Sequence, residues 1–298
     1  MDDLLTAQLF ALLAAIVFAL SNIAMNYGLR TATPLTSTLV LALFTLGVYG
    51  PIAWATTSLA EIRVAGLLIF LIAGVASPGL ARTLLTMSVR GIGLSRSVTI
   101  TNAAPLFSVI IAVVALGERP TAWVYLGTLL VVGGVSMLSC NPRSGACDEA
   151  DRKSAWPYFL FAVLSCVLLG VALSLRKAGV SILPSLSLGL SATAVGTLIV
   201  LGLWCPFLPP EERLRVSRRD FWHLLSSALF TSLAQLSMLA AVQRGPVSTA
   251  APLISTTPLF TLALSWVLFR GVERINLRLV AGVVLVCAGA ALVAMSRA

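Results

Sequence analysis

Ten continuously apolar stretches follow one another along the chain: Ala7–Gly28, Leu35–Thr56, Val64–Val89, Leu94–Leu116, Thr121–Ser139, Trp156–Leu175, Pro184–Cys205, Phe221–Val242, Val247–Phe269 and Leu277–Met295. Each is close to the roughly 20 residues that a helix needs to cross about 30 Å of hydrocarbon. Membrane β-strands are shorter and alternate every second residue, so these unbroken runs predict helices. Charged residues make up only 10% of the chain and the mean hydropathy is +0.99, whereas a soluble domain carries about 25% charge. The expected fold class is therefore an all-α integral membrane protein of about ten transmembrane helices. Met1, Asp2 and Asp3 offer no basic leader, so the first run reads as a retained span.

The two halves of the chain resemble each other. Residues 103–120 read AAPLFSVIIAVVALGERP and residues 256–274 read TTPLFTLALSWVLFRGVER. Pro105 falls on Pro258, Phe107 on Phe260 and, after two inserted residues, Glu118 on Glu273; Gly127 then meets Gly282, Gly134 meets Gly289, and upstream Arg82 meets Gln235 and Ser95 meets Ser248. A near-constant offset over so many positions is an internal repeat. The expected organisation is a five-span unit at 1–139, a polar linker at 140–155 and a second five-span unit at 156–298. An odd number of spans inverts the second copy, and inverted repeats enclose a central cavity in secondary transporters.

These motifs also resemble a known family. Pro-Leu-Phe opening the fourth span, the run into Gly117-Glu118-Arg119, the glycines at 133 and 134, and the second set with Gly271, Glu273 and Gly289 are similar to the EamA type of the drug/metabolite transporter superfamily. The resemblance covers nearly the whole chain and departs from the usual pattern at Val272, between Gly271 and Glu273. It implies a basket of ten helices with a cavity lined mainly by the first, third, fourth, sixth, eighth and ninth spans. It also implies carriage of a small solute.

Polar groups inside spans are costly and mark candidate pathway residues. Arg82 follows Pro78 and Gly79 in the third span. It either returns to the interface, pairs with carbonyls freed by the proline, or offers a cation to a carboxylate or phosphate. Asn22 and Asn26 share one face of the first span. In the fourth span Thr99 and Asn102 lie in line with Ser95 and Pro105; in the ninth, Ser255 lies in line with Ser248, Pro252 and Pro258. Gln235, a neutral amide where the first copy has Arg82, makes the two walls chemically unequal. The expected substrate-binding set is Asn22, Asn26, Arg82, Thr99, Asn102, Gln235 and Ser255, with Pro105 and Pro258 as hinges. Helix packing and interhelical hydrogen bonding are the competing reading for each Ser, Thr and Asn.

The function these residues suggest is secondary transport, as an exporter, of a small polar or amphipathic metabolite, amino-acid-like or anionic, by alternating access. The alternative is a flippase for a lipid-linked phosphate-bearing group. Spans without a Ser–base pair or a His/Asp/Glu cluster argue against an enzyme, a metal or a cofactor, and carboxylates confined to span ends argue against coupling through a buried acid. A non-transporting scaffold is a further rival. Partners are expected to be the solute and membrane lipid, with no nucleic acid because the net charge of +9 is spread over span ends, and the oligomeric state a monomer or weak homodimer. Cys166, Cys205 and Cys287 read as packing residues; Cys140 and Cys147 share a loop and are the one plausible disulfide.

The expected location is a plasma membrane, the inner membrane in a bacterium. The side sharing the N-terminus holds Arg63, Arg119, Arg176, Lys177, Arg244 and Arg297. The opposite side holds twice as many basic residues, among them Arg30, Arg90, Arg143, Arg152 and Lys153. The positive-inside rule makes that opposite side cytoplasmic; the family resemblance implies cytoplasmic termini instead.

Overall fold

A computed structural model describes residues 2–28, 32–58, 62–139, 152–205, 217–268 and 277–295. Their regular structure is helical throughout: α1 (Asp2–Gly28), α2 (Pro34–Thr56), α3 (Val64–Gly74), a π-helical turn (Val75–Leu80), α4 (Ala81–Ile92), α5 (Leu94–Thr101), α6 (Ala104–Leu116), α7 (Ala122–Ser139), α8 (Arg152–Ile182), α9 (Leu186–Trp204), α10 (Arg218–Arg244), α11 (Val247–Ile254), α12 (Thr257–Leu268) and α13 (Leu277–Met295). Eight segments are long and apolar enough to cross a membrane, and two shorter apolar helices, Ala122–Leu138 and Val280–Met295, complete the ten expected. The loop holding Cys140 and Cys147, and the stretch holding Gly271 and Glu273, lie outside the described residues.

Three spans are broken, each by a local cause. In the third, Ser77 takes an extended backbone (φ −153°, ψ 127°) before Pro78, which can donate no hydrogen bond. The fourth and ninth break at Asn102–Ala103 and Ser255–Thr256, matched positions of the two repeats, each followed within three residues by the aligned Pro105 or Pro258. The sixth span differs from expectation. Arg176 and Lys177 read as its end, but Pro184 is the first proline after them, Gly179 packs against Phe70 inside the helix, and α8 runs on to Ile182. Arg176 therefore lies within the helix, not in a loop.

The inverted relation of the repeats is visible in how helices meet. A Cβ built on Gly127 would lie 2.7 Å from the Gly289 carbonyl oxygen, and one on Gly134 would lie 2.7 Å from that of Gly282. Gly127 and Gly282 are repeat mates, as are Gly134 and Gly289, so α7 and α13 pair in antiparallel register as a two-fold interface must. Without a Cβ at the crossing the backbones approach closely, the usual source of helix association in lipid. α1 and α10 also run antiparallel. Ser21 Oγ donates to the Ser227 carbonyl at 3.0 Å near one end, while Gly245 sits against Ala7 at the other.

Apolar side chains face outward along the bundle. Val114, Leu203 and Val267 are more than half exposed, which fits a surface solvated by acyl chains. Trp54, Trp123, Trp156 and Trp222 are also exposed, two near each end, where aromatic belts sit. Cys166 is buried as a packing residue, whereas Cys287 turns outward. The main buried cluster, including Phe70, Leu239, Val247 and Leu253, gathers in the half of the bundle that carries the N-terminus. The central chamber adjoins this cluster, sharing Leu173, Met238 and Ala251 with it, and reaches toward the other end as far as Met25 and Leu85.

Candidate functional site

The chamber has a volume of about 520 Å³. Its lining follows α8 from Ser165 to Arg176, about 16 Å of helix axis at about 1.5 Å per residue. The first, third, fourth, sixth, eighth and ninth spans all contribute, with smaller parts from Leu41 of α2 and Val135 of α7. The inner ends of the broken fourth and ninth spans meet the chamber through Asn102, Pro105, Ser255 and Pro258.

Of the expected residues, Asn22, Arg82, Asn102, Gln235 and Ser255 line the chamber together with both prolines. Asn26 and Thr99 are not in the lining. On α1 the lining stops at Met25, and Asn26, one residue further, is exposed. On the fourth span the break at Asn102–Ala103 interrupts the helical stripe, so Thr101 and Asn102 reach the space while Thr99, half-buried, does not. The same happens in the ninth span, where Ser255 and Pro258 reach the chamber but Ser248 and Pro252 are buried outside it.

Arg82 donates through Nη2 to Met25 Sδ at 2.9 Å and to Ser37 Oγ at 3.3 Å. A thioether and a hydroxyl are weak acceptors for a guanidinium with five N–H donors, so most of its hydrogen-bonding capacity remains for the chamber. The Asn22 and Gln235 amides hydrogen-bond no protein group among the described residues, and both face the same space. Asn102 Nδ2 reaches the Val135 carbonyl at 3.5 Å, which ties the fourth span to α7.

Arg176 is the residue that sequence reasoning assigned to the wrong place. It is 7% exposed, lines the chamber and donates through Nη2 to the Ser77 carbonyl at 2.7 Å. The Ser77 carbonyl, turned out of the helix by its extended backbone, is thus taken by Arg176, the Gly74 carbonyl that Pro78 cannot serve accepts from Thr197 Oγ1 at 3.2 Å, and Arg82 is left to other partners. The available signal was that no proline stands between Leu175 and Pro184. Ser165, which donates to the Ala81 carbonyl at 2.7 Å, and Thr231, bonded to Ser21, complete a polar ring that sequence reasoning did not single out. The described lining contains two guanidinium groups and no Asp, Glu or His.

The end of the chamber nearest the N-terminus is sealed by a polar latch as well as by the apolar cluster. Gly117 ends α6 in the left-handed conformation (φ 69°, ψ 20°), which costs glycine nothing. The turn lays Glu118 across the start of α11, where its carboxylate accepts from Val247 N at 2.7 Å and Ser248 N at 2.9 Å. A carboxylate there caps two otherwise orphaned amides and meets the positive end of the helix dipole. Lys177 Nζ donates to the Val242 and Gly245 carbonyls at 2.6 and 2.9 Å, binding α8 to the adjoining turn. The Gly-Glu pair in the family-like motif thus acts as a capping device between the repeats.

No protein of curated function matches the chain in sequence. A solved structure described only as a crystal structure of protein superposes with a TM-score of 0.79 at 15% identity, over 96% of this chain and 95% of that one; at that identity the likeness shows the fold alone. The model of the EamA-like transporter family matches residues 5–140 and again 156–295. With both copies of the repeat recognised, the chain is a multi-pass membrane protein that belongs to the EamA-like transporter family.

Proposed function

We propose that this protein exports a small solute bearing an anionic group, a carboxylate or a phosphate, by alternating access through the central chamber. One observation carries the reading: Arg82 and Arg176 both line the chamber, and no acidic side chain in the described lining neutralises them. A charge inside the membrane costs on the order of 2.5 to 3.5 kcal/mol on insertion scales, and an anionic ligand offsets that cost when it binds. Arg82, with weak protein partners, is the group that meets the anion. Arg176, committed to the Ser77 carbonyl, contributes field and holds the third-span break in shape. Asn22, Asn102, Gln235 and Ser255 orient the rest of the solute, and Pro105 and Pro258 mark the bends about which the repeats rock.

The chamber extends toward the end richer in basic residues, which the positive-inside rule makes cytoplasmic. Loading from that side fits export out of the cell across a plasma membrane, the inner membrane in a bacterium. Without an acid or histidine in the described lining, coupling through the substrate's own charge fits better than coupling through a buried carboxylate. The test is counterflow in proteoliposomes with radiolabelled anionic, zwitterionic and cationic solutes. An anion should be carried, and Arg82→Ala should slow its transport by about tenfold or more, the worth of one charge-assisted hydrogen bond. Unchanged transport of every anionic and zwitterionic solute by that variant would refute the assignment.

A further inference from the structure

Arg82 borders two spaces. Besides the chamber, it lines a smaller pocket of about 80 Å³, together with Thr38 of α2, Thr86 and Arg90 of α4, and Leu201 and Trp204 of α9. A single water needs about 10–15 Å³, so the pocket has room for a few waters or one oxyanion but not for a whole solute. It sits at the end of the bundle remote from the N-terminus, where α2 begins and α4 and α9 finish. Both α2 and α9 present exposed apolar side chains along their outer faces, Leu43 and Ile52 on one, Ile199 and Leu203 on the other. The pocket therefore lies on the flank of the bundle, close to the membrane surface, a depth that suits Trp204.

Its chemistry is cationic on one wall and apolar on the other. The Thr38 and Thr86 hydroxyls donate to the Pro34 and Arg82 carbonyls of their own helices, both at 2.9 Å. The charged donors in the pocket are then the guanidinium groups of Arg82 and Arg90, about two helical turns apart on α4. The apolar part of the lining is the buried Leu201 and the half-buried Trp204, whose ring can meet the first carbons of a hydrocarbon chain. A cationic seat for a head beside an apolar seat for a tail matches a molecule that has both.

We propose that this pocket is a side entrance, which takes the anionic headgroup of a membrane amphiphile from the leaflet and passes it across Arg82 into the chamber. Arg90 makes the first contact near the surface. Arg82, shared by both spaces, makes the second. The proposal rests on the reading of Arg82 as the chamber's anion ligand, and it narrows the substrate class to an amphipathic anion.

The test measures lipid retention, which is independent of any transport signal. Purified protein in neutral detergent is equilibrated with short-chain phosphatidylglycerol, with phosphatidylcholine of the same chain length, and with inorganic phosphate as competitor, and the bound lipid is counted by native mass spectrometry. The wild type should hold phosphatidylglycerol about tenfold better than phosphatidylcholine, and Arg90→Gln should erase that preference. Equal retention of the two lipids by the wild type overturns the proposal whether or not the variant folds. So does a preference that survives Arg90→Gln, or complete displacement of phosphatidylglycerol by inorganic phosphate at matched concentration, which would mark a site for a free oxyanion. Loss of preference in Arg90→Gln but not in Arg82→Gln would overturn the hand-over into the chamber. A failed Arg82→Ala transport test would leave the lipid result intact, so the two readings fall separately.

Discussion

At the end of the bundle that carries the N-terminus, Phe70, Leu183, Leu239, Val242, Val247 and Leu253 pack into one buried cluster, with the Glu118 cap and the Lys177 bonds above it. The second buried cluster, the Val131, Val135 and Val286 seam between α7 and α13, lies near mid-span, and toward the far end Ile92 and Leu224 are buried outside either cluster. Two antiparallel copies of one unit would make these ends alike if both copies folded identically. They differ because the copies differ where it matters most. The third span is broken at Ser77–Pro78, whereas its mate α10, with Thr231 and Ser232 at the positions of Pro78 and Gly79, runs unbroken from Arg218 to Arg244. The break turns the Ser77 carbonyl out of its helix toward Arg176, while the same span stays packed against α9 at Gly74; the unbroken α10 packs closely against α1. The lesson is that pseudo-symmetry supplies the architecture, and a few substitutions decide which end opens.

The comparison can be broken at its closed end. Glu118→Ala removes two charge-assisted bonds from the start of α11 and should cost about 3 kcal/mol locally. Hydrogen exchange should then show the Val247 and Ser248 amides losing protection by about a hundredfold. Unchanged protection would mean that the apolar cluster alone holds that end shut.

Among the described residues, each end also turns on one glycine of positive φ. Gly93, between α4 and α5 at the open end, has φ 82° and ψ 161°, a region almost closed to other residues. Gly93→Ala should lower stability by about 2 kcal/mol in a detergent melt. Gly117, at the closed end, has ordinary left-handed angles, and a Cβ there meets nothing within 4 Å. Gly117→Ala should therefore cost only about 1 kcal/mol. The reverse order would show that the Glu118 latch, not backbone conformation, controls the turn.

The smallest effect is expected in the seam between α7 and α13. A Cβ on Gly133 meets nothing within 4 Å, unlike its neighbour Gly134 against Gly282. Gly133→Ala should raise the melting temperature slightly, by about 0.5 kcal/mol of stability, because alanine loses less backbone entropy in a helix. A destabilising result would mean that α7 and α13 pack in another register.

Much of the architecture was legible from residues alone because lipid permits few solutions: apolar runs of fixed length must be helices, and an odd-numbered repeat must invert. The chamber was partly legible. Arg82, Asn22 and Gln235 declare themselves by the cost of polar groups in hydrocarbon. Asn26 and Thr99 were placed on the pathway by helical periodicity, which holds only while a helix stays straight and the cavity runs along it. Arg176 was missed for the complementary reason, since a basic pair after twenty apolar residues looks like a span end when no partner is in view.

The sequence by itself determined that this chain spans the membrane as two inverted copies, because hydrophobic length and an internal repeat are properties of the order of residues. Only the tertiary structure decided which polar groups share a chamber, that Arg176 and not Arg82 takes the Ser77 carbonyl, and that Glu118 reaches the start of α11. Those pairings join residues separated by 99 and by 129 positions. Their geometry depends on where each helix breaks and how closely glycines let the backbones meet, and neither quantity is local to any stretch of sequence.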